Sequence, residues 1–304
     1  MKPLFYIYIV AAIIHLLFWL NLIPYPTVRQ RSMQWLYTYL AIDVLLLIRV
    51  FVIYAYQSRS ICVPHFLRII MCYYEAIFDN YLNVLQSYII LALNICRYLQ
   101  ITDNRDIYVI RHRTIIISHL LIYILPILCY IIAILYHWLV VFKPQNDIFV
   151  FKPQNDICDL ELTSAVVQIL FLLFSYFIPL VFTSIFLFLS LRHIRHTNGI
   201  RTQHIIEARL KYHRQLIIQS GAFYSVWLIL WSPYLLLFPF YYRHSTPGTI
   251  AEIFICIGIV LDPFIVAALD IRFLRAWHST WNHLIECIRP VRVAPMPVAI
   301  AANY

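Results

Sequence analysis

Seven long apolar segments, separated by short polar connectors, constrain this chain more than any other feature of its sequence. Hydrophobic residues make up 62% of the 304 positions and charged residues only 12%, so a water-soluble core of this size could not bury them all. A membrane-spanning helix needs roughly 20 apolar residues. The predicted spans are Leu4–Ile23, Trp35–Tyr56, Ile69–Leu99, Thr114–Trp138, Leu162–Leu191, Leu216–Tyr241 and Thr249–Leu269.

Each span is predicted to be a helix, because backbone donors and acceptors in hydrocarbon must pair within the segment. No alternating strand pattern repeats along the chain. The predicted fold class is therefore an all-α membrane protein, a seven-transmembrane helix bundle formed by residues 1–288. Residues 289–304 are predicted to be a short cytoplasmic tail.

Basic residues set the predicted orientation. Arginine and lysine are concentrated in the connectors after spans one, three, five and seven, which places those connectors in the cytoplasm and the N-terminus outside. We expect a multi-pass protein of the plasma membrane. A cleaved signal peptide is the alternative for span one, but its apolar run is long and no small-residue cleavage site follows. The scattered basic residues do not favour nucleic-acid binding.

A short duplication lies between spans four and five. The motif VFKPQNDI occupies Val141–Ile148 and again Val150–Ile157. Strand-compatible residues flanking Asn-Asp turns are typical of a hairpin, which would cover the outer mouth of the bundle. Replication slippage or an assembly artefact explains the duplication equally well.

Ionisable residues inside the spans are the strongest functional signal, because each costs about 2.5–3.5 kcal/mol at the bilayer centre unless it faces a cavity or a partner. They are Asp43, Arg49, Glu75, Asp79, Glu252 and Asp262. Glu75 and Asp79 follow Cys72 on one stripe of span three, which predicts a cavity beside that stripe. Two alternatives remain for Asp79: it contacts a ligand, or Arg49 at similar depth neutralises it.

Five of the seven cysteines fall near one of the two predicted sides of the membrane, Cys96 and Cys287 on the inner side and Cys62, Cys72 and Cys158 on the outer side. Cys72 and Cys158 lie on the outer, oxidising side, where a disulfide between them would hold the loop after span four over the mouth. Cys62 is a rival partner. No cysteine or histidine pair has ligand spacing with supporting carboxylates, so no metal site of that kind is predicted.

Several landmarks occur in a fixed order along the spans. They are Asp43, then Cys72 followed after twenty-five residues by Arg97-Tyr98, then Pro179, Trp231-Ser232-Pro233 and Asp262-Pro263. In this order and spacing the sequence resembles the rhodopsin-like G-protein-coupled receptors over all seven spans. The resemblance implies that Arg97 and Tyr98 contact a heterotrimeric G protein, and that Asp43 and Asp262 hold a sodium ion.

Three of the prolines within the spans have a physical role that does not depend on the resemblance. Pro179, Pro233 and Pro263 each remove an intrahelical hydrogen bond and favour a kink, so three helices gain hinges. After span seven, apolar residues recur every four positions, which predicts a short amphipathic eighth helix at the inner membrane surface. Those residues are Phe273, Trp277, Trp281 and Ile285.

Some positions depart from the family pattern. Cys96 replaces the acid that usually precedes Arg97, and His213 stands where span six would restrain that arginine, so we expect no inactive-state ionic clasp and raised basal signalling. Gln86 replaces a small hydroxyl residue near the expected sodium site. Val266 and Leu187 replace usual tyrosines. These substitutions indicate a divergent member.

The expected function is a receptor for an extracellular ligand that activates a G protein. Its predicted ligand-binding residues are Asp79, Glu75, Arg49, Trp231, Tyr234 and Glu252. A neuropeptide is favoured over a biogenic amine, because the mouth is charged and Ser175 is the one serine left where span five usually carries several. A seven-span channel or transporter is the alternative class. No catalytic grouping is present, so an enzyme is not predicted.

Overall fold

The computed structural model describes residues 2–22, 33–58, 65–103, 107–110, 112–141, 160–162, 164–197, 204–237, 246–269 and 278. Within them the chain is a bundle of seven helices long and apolar enough to cross a membrane, which confirms the predicted all-α fold class. The helices are α1 Lys2–Leu22, α2 Gln34–Ser58, α3 His65–Asp103, α4 Ile107–Ile110, α5 His112–Leu135, α6 Ala165–Leu172, α7 Ile178–Thr197, α8 His204–Leu237 and α9 Thr246–Leu269.

The fifth span is built from three consecutive pieces. A π-helical turn, Leu173–Phe177, joins α6 to α7, and Pro179 follows it directly. The other six spans are α1, α2, α3, α5, α8 and α9. We call the half of the bundle in which α1 begins and α2 ends the upper half, and the opposite half the lower half.

At two span boundaries, a local feature of the backbone sets the helix end away from its predicted position. The fourth span ends at Leu135 and not at Trp138, because His137 adopts a φ of 54° and the amides of His137 and Trp138 bond back to Ile134 and Ala133. The fifth span begins at Ala165 and not at Leu162.

A serine determines where the fifth span begins. The hydroxyl of Ser164 accepts a hydrogen bond from the backbone amide of Val167 and so satisfies a donor in the first turn of α6. Leu162 itself belongs to a strand. The apolar run is therefore longer than the helix that it contains.

A two-stranded antiparallel ribbon connects the fourth and fifth spans. Strand β1, Leu139–Val141, pairs with β2, Leu160–Leu162, so that Leu139 faces Leu162 and Val141 faces Leu160. This pairing brings together the two ends of the loop that contains the duplicated motif. The rest of the duplication lies outside the described residues, so its predicted hairpin stays a prediction.

Helix α3 is the central element of the bundle. In the 18-residue apolar segment that represents the third span, 72% of the residues are buried. In the corresponding segments of α5 and of the fifth span, 17% are buried. Large apolar side chains on the outer helices are accordingly exposed, among them Leu120, Leu121 and Phe188. An apolar exterior of this extent is expected of a surface that faces lipid.

Candidate functional site

An ion pair joins α2 to α3 inside the upper half of the bundle. Nη1 of Arg49 donates to Oδ1 of Asp79 at 2.6 Å, and Nη2 of Arg49 lies 3.5 Å from the backbone oxygen of Glu75. Arg49 is 4% exposed and Asp79 is 8% exposed. Such a pair offsets the cost of placing either charge in the membrane. The internal pair considered above is therefore present, while contact between Asp79 and a ligand stays a prediction.

The same carboxylate also binds the sixth span. The hydroxyl of Tyr234, near the end of α8, donates to Oδ2 of Asp79 at 2.8 Å. Both oxygens of Asp79 thus accept a hydrogen bond, one from α2 and one from α8. We call Arg49, Asp79 and Tyr234 the charged network. It connects three helices, so a displacement of α8 must break or rearrange it.

A small cavity adjoins the charged network. Its volume is about 20 Å³, which is room for roughly one water molecule. Four of the predicted ligand-binding residues line it: Arg49, Asp79, Tyr234 and Glu252. The other wall residues are Tyr8, Leu46, Val50, Asn83, Ile255 and Ile259. A whole peptide or amine does not fit this space, so a bound ligand would place one group in it or widen it.

Two predicted ligand-binding residues are not among the cavity's lining residues. Trp231 is 1% exposed and packs in the core against α9, where a Cβ added to Gly258 would lie 3.1 Å from the indole Nε1. Glu75 is buried on α3, one turn before Asp79.

Asn83 is a wall residue that the sequence interpretation missed. It lies one turn after Asp79 and continues the stripe of Glu75 and Asp79 along α3. Neither its amide nitrogen nor its amide oxygen has a hydrogen-bond partner among the described residues, although the residue is only 2% exposed. Extending the polar stripe by one further turn would have identified it.

Two buried carboxyl groups face each other below the cavity. Asp43 on α2 interacts electrostatically with Asp262 on α9, as the sequence interpretation expected. The amide Nε2 of Gln86 donates to Oδ1 of Asp43 at 2.6 Å, and the hydroxyl of Tyr39 donates to Oδ2 of Asp262 at 3.0 Å. N–H and O–H donors therefore approach these two oxygens.

The sodium ion that the resemblance implies at Asp43 and Asp262 stays a prediction: Oδ1 of Asp43 accepts from an N–H donor, while its Oδ2 has no hydrogen-bond partner among the described residues. The described residues also contain no group of three or more His, Cys, Asp or Glu side chains that could hold a metal ion. Gln86, a departure from the family pattern, supplies the donor to Asp43.

Helix α3 satisfies two carbonyl groups in the irregular part of the fifth span, where Pro179 removes an intrahelical donor. Pro179 cannot donate to Ser175, and the hydroxyl of Ser87 on α3 donates to the Ser175 carbonyl at 3.0 Å. Likewise the π-helical turn presents the Phe174 carbonyl to the hydroxyl of Tyr88 at 2.9 Å. Side chains of α3 thus hold the fifth span at its irregular turn.

A second proline, Pro233, lies inside α8, close to the end that carries Tyr234. Its neighbour Ser232 bonds to the carbonyl of Leu228 and lies 2.7 Å from the hydroxyl of Tyr176 in the π-helical turn. The proline region of the sixth span is therefore linked to the irregular turn of the fifth.

The predicted G-protein contact lies in the lower half. Arg97 is 4% exposed, and its Nη2 lies 3.4 Å from the sulfur of Met33 at the start of α2. The ring of Tyr98 packs against Phe186 on α7, with 5.6 Å between ring centroids. Arg97 is covered in this conformation, so a partner protein can reach it only after the helices separate.

Some predictions fall outside what the structure describes. Cys62 and Cys158 lie outside the described residues, and the side chains of Cys72 and His213 are not described. The residues of the predicted eighth helix also lie outside. The disulfide, the missing clasp and that helix therefore stay predictions.

Comparison with known proteins leaves the site's geometry as the main argument for function. No protein-family model matches the chain, and no curated protein matches it.

Proposed function

We propose that this protein is a G-protein-coupled receptor that binds an extracellular ligand in the upper half of the bundle and activates a heterotrimeric G protein. The charged network carries this proposal. A buried ion pair and a tyrosine connect α2, α3 and α8 beside a polar cavity, so a group entering the cavity changes contacts on three helices at once.

The helix irregularities supply the second half of the argument. Proline interrupts α8 and α9, and a π-helical turn interrupts the fifth span. Interrupted helices bend at these points, which gives the bundle discrete alternative packings. Rearrangement of α8 against α3 would uncover Arg97, the residue proposed to meet the G protein. The receptor is proposed to lie in the plasma membrane with its N-terminus outside.

A neuropeptide is the proposed ligand class. In the amine alternative, an ammonium group pairs with Asp79, but here Arg49 and Tyr234 already bind both oxygens of that carboxylate. An amine would have to displace an arginine that bonds at 2.6 Å. A short peptide with charged ends has several groups with which to compete for this network.

The test is a library of neuropeptides and amines applied to cells that express the chain with a promiscuous G protein. We expect at least one peptide to evoke a response that untransfected cells lack. In the amine alternative, with an ammonium group on Asp79, Asp79→Ala would abolish the response, whereas a response that survives it supports the internal pairing of Arg49. Ligand-independent ion current or solute flux through a reconstituted bilayer, without any G-protein response, would contradict the proposal and favour a channel or transporter.

A further inference from the structure

We infer that Glu252, with Asn83 and Tyr8, forms the binding site for a single cationic ammonium group of the ligand, and that Asp79 does not. This inference rests on the receptor function proposed above and identifies which carboxylate meets the ligand's charge. The three residues come from α9, α3 and α1 and line the same cavity.

Charge balance at the cavity favours a cation. Its walls carry one positive group, Arg49, and two negative groups, Asp79 and Glu252. Arg49 and Asp79 neutralise each other at 2.6 Å. No ion pair involving Glu252 is present among the described residues, so its carboxylate leaves an excess negative charge in a membrane-embedded site. A bound cation would remove that excess.

Asn83 supplies an independent indication that a polar group belongs in the cavity. Its amide is buried, yet in the described part of the chain neither polar atom has a partner. Buried amides that find no protein partner usually bond to water or to a ligand. The amide oxygen can accept a hydrogen bond from an ammonium group beside Glu252.

Tyr8 completes the site from the first helix. It is 8% exposed and lines the same cavity as Glu252. An aromatic ring next to a carboxylate attracts a cation through its electron-rich face. The carboxylate, the amide and the ring are therefore three different groups that each favour positive charge.

The size of the cavity limits what can occupy it. About 20 Å³ accommodates a group of the size of one water molecule, and an ammonium group is of that size. The shared chemistry is a primary ammonium, whether it comes from the N-terminus of a peptide or from a small amine. The remainder of either ligand must lie outside this cavity.

The experiment measures the thermal unfolding temperature (Tm) of the full purified chain in detergent with four probes. Phenethylamine and Phe-Gly-amide carry an ammonium group, whereas phenethyl alcohol and N-acetyl-Phe-Gly-amide are their neutral counterparts. We expect at least one cationic probe in the millimolar range to raise the Tm by about 2–4 °C, and neither neutral probe to do so. A shift with the peptide alone identifies an N-terminal ammonium, and a shift with phenethylamine alone identifies a small amine.

Four variants assign the effect to residues. Glu252→Gln keeps the shape of the side chain and should abolish the shift, while Glu252→Asp keeps the charge and should retain part of it. Asp79→Asn should lower the starting Tm yet keep the shift. Asp103→Asn removes a carboxylate at the far end of α3 and serves as the matched control, with the full shift retained.

Three results would overturn the inference. They are equal shifts with neutral and cationic probes, absence of any shift with either cationic probe, and a shift that survives Glu252→Gln but is lost in Asp79→Asn. Because the assay contains no G protein, these results are separate from the receptor proposal. A peptide response in cells together with any of them would leave the receptor function intact and reject only this site.

Discussion

Nε2 of His15 lies 3.0 Å from the backbone oxygen of Ile259, the carbonyl that Pro263 leaves without its usual intrahelical donor. A histidine buried in α1 thus supplies the hydrogen bond that Pro263 removes from this carbonyl of α9. The bond requires the tautomer with hydrogen on Nε2. This contact joins the first and last spans in the middle of the bundle.

His15→Leu should therefore lower the free energy of unfolding by about 1–3 kcal/mol, because the carbonyl of Ile259 loses its partner in a water-free environment. Pro263→Ala restores an amide at position 263 that can reach the same carbonyl. In the Pro263→Ala background, His15→Leu should lower the free energy of unfolding by clearly less. Unfolding in detergent of the parent, the two single variants and the double variant measures the coupling between the two positions. An equal loss of unfolding free energy from His15→Leu in both backgrounds would count against the contact.

The ion pair between Arg49 and Asp79 predicts that the effects of two substitutions on the free energy of unfolding are not additive. Asp79→Leu leaves Arg49 as an uncompensated buried charge and should cost about 3–5 kcal/mol of unfolding free energy. Replacing both partners in Arg49→Leu/Asp79→Leu removes the charge altogether and should recover much of that loss. A double variant that is less stable than Asp79→Leu alone would contradict a mutual pairing. The same detergent unfolding assay measures both.

Two helical glycines provide a matched test of the packing around Trp231. A Cβ at Gly258 would lie 3.1 Å from the indole nitrogen of a fully buried ring, whereas a Cβ at Gly221 would meet nothing within 4 Å. Alanine favours a helix over glycine by about 1 kcal/mol at either site. Gly221→Ala should therefore stabilise the protein, and Gly258→Ala should be less stable than it by about 1–3 kcal/mol. Equal Tm changes would show that Trp231 moves freely.

The positions of the spans could be predicted from the sequence, because the length and hydropathy of a membrane helix are set by the bilayer and not by its neighbours. Arg49 and Asp79 could be assigned to the interior of the bundle because an isolated charge facing lipid is too costly, and their pairing could be predicted only as one of two alternatives. Their depth in adjacent spans was readable from residue numbers alone.

The ends of two spans could not be predicted from hydropathy. Apolar residues continue past Leu135 and precede Ala165, while the left-handed conformation of His137 and the cap from Ser164 decide where the helices stop and start. Local backbone chemistry overrides the apolar pattern at both positions.

The hydrogen-bond partners of His15 and Gln86 were equally beyond sequence reasoning. Each depends on which helices become neighbours and on the side-chain rotamers that packing selects. The volume of the cavity depends on the same choices across five helices. A lone histidine in an apolar span was nevertheless a signal that could have been followed.

The most direct test of the receptor account needs no ligand. The reconstituted chain should accelerate nucleotide exchange on a purified heterotrimeric G protein above the rate with empty vesicles, because the sequence places no acid beside Arg97. Arg97→Ala should abolish this acceleration, and Cys96→Asp, which supplies the missing acid, should reduce it. Exchange no faster than with empty vesicles for every G protein tried, or exchange unaffected by Arg97→Ala, would contradict the account.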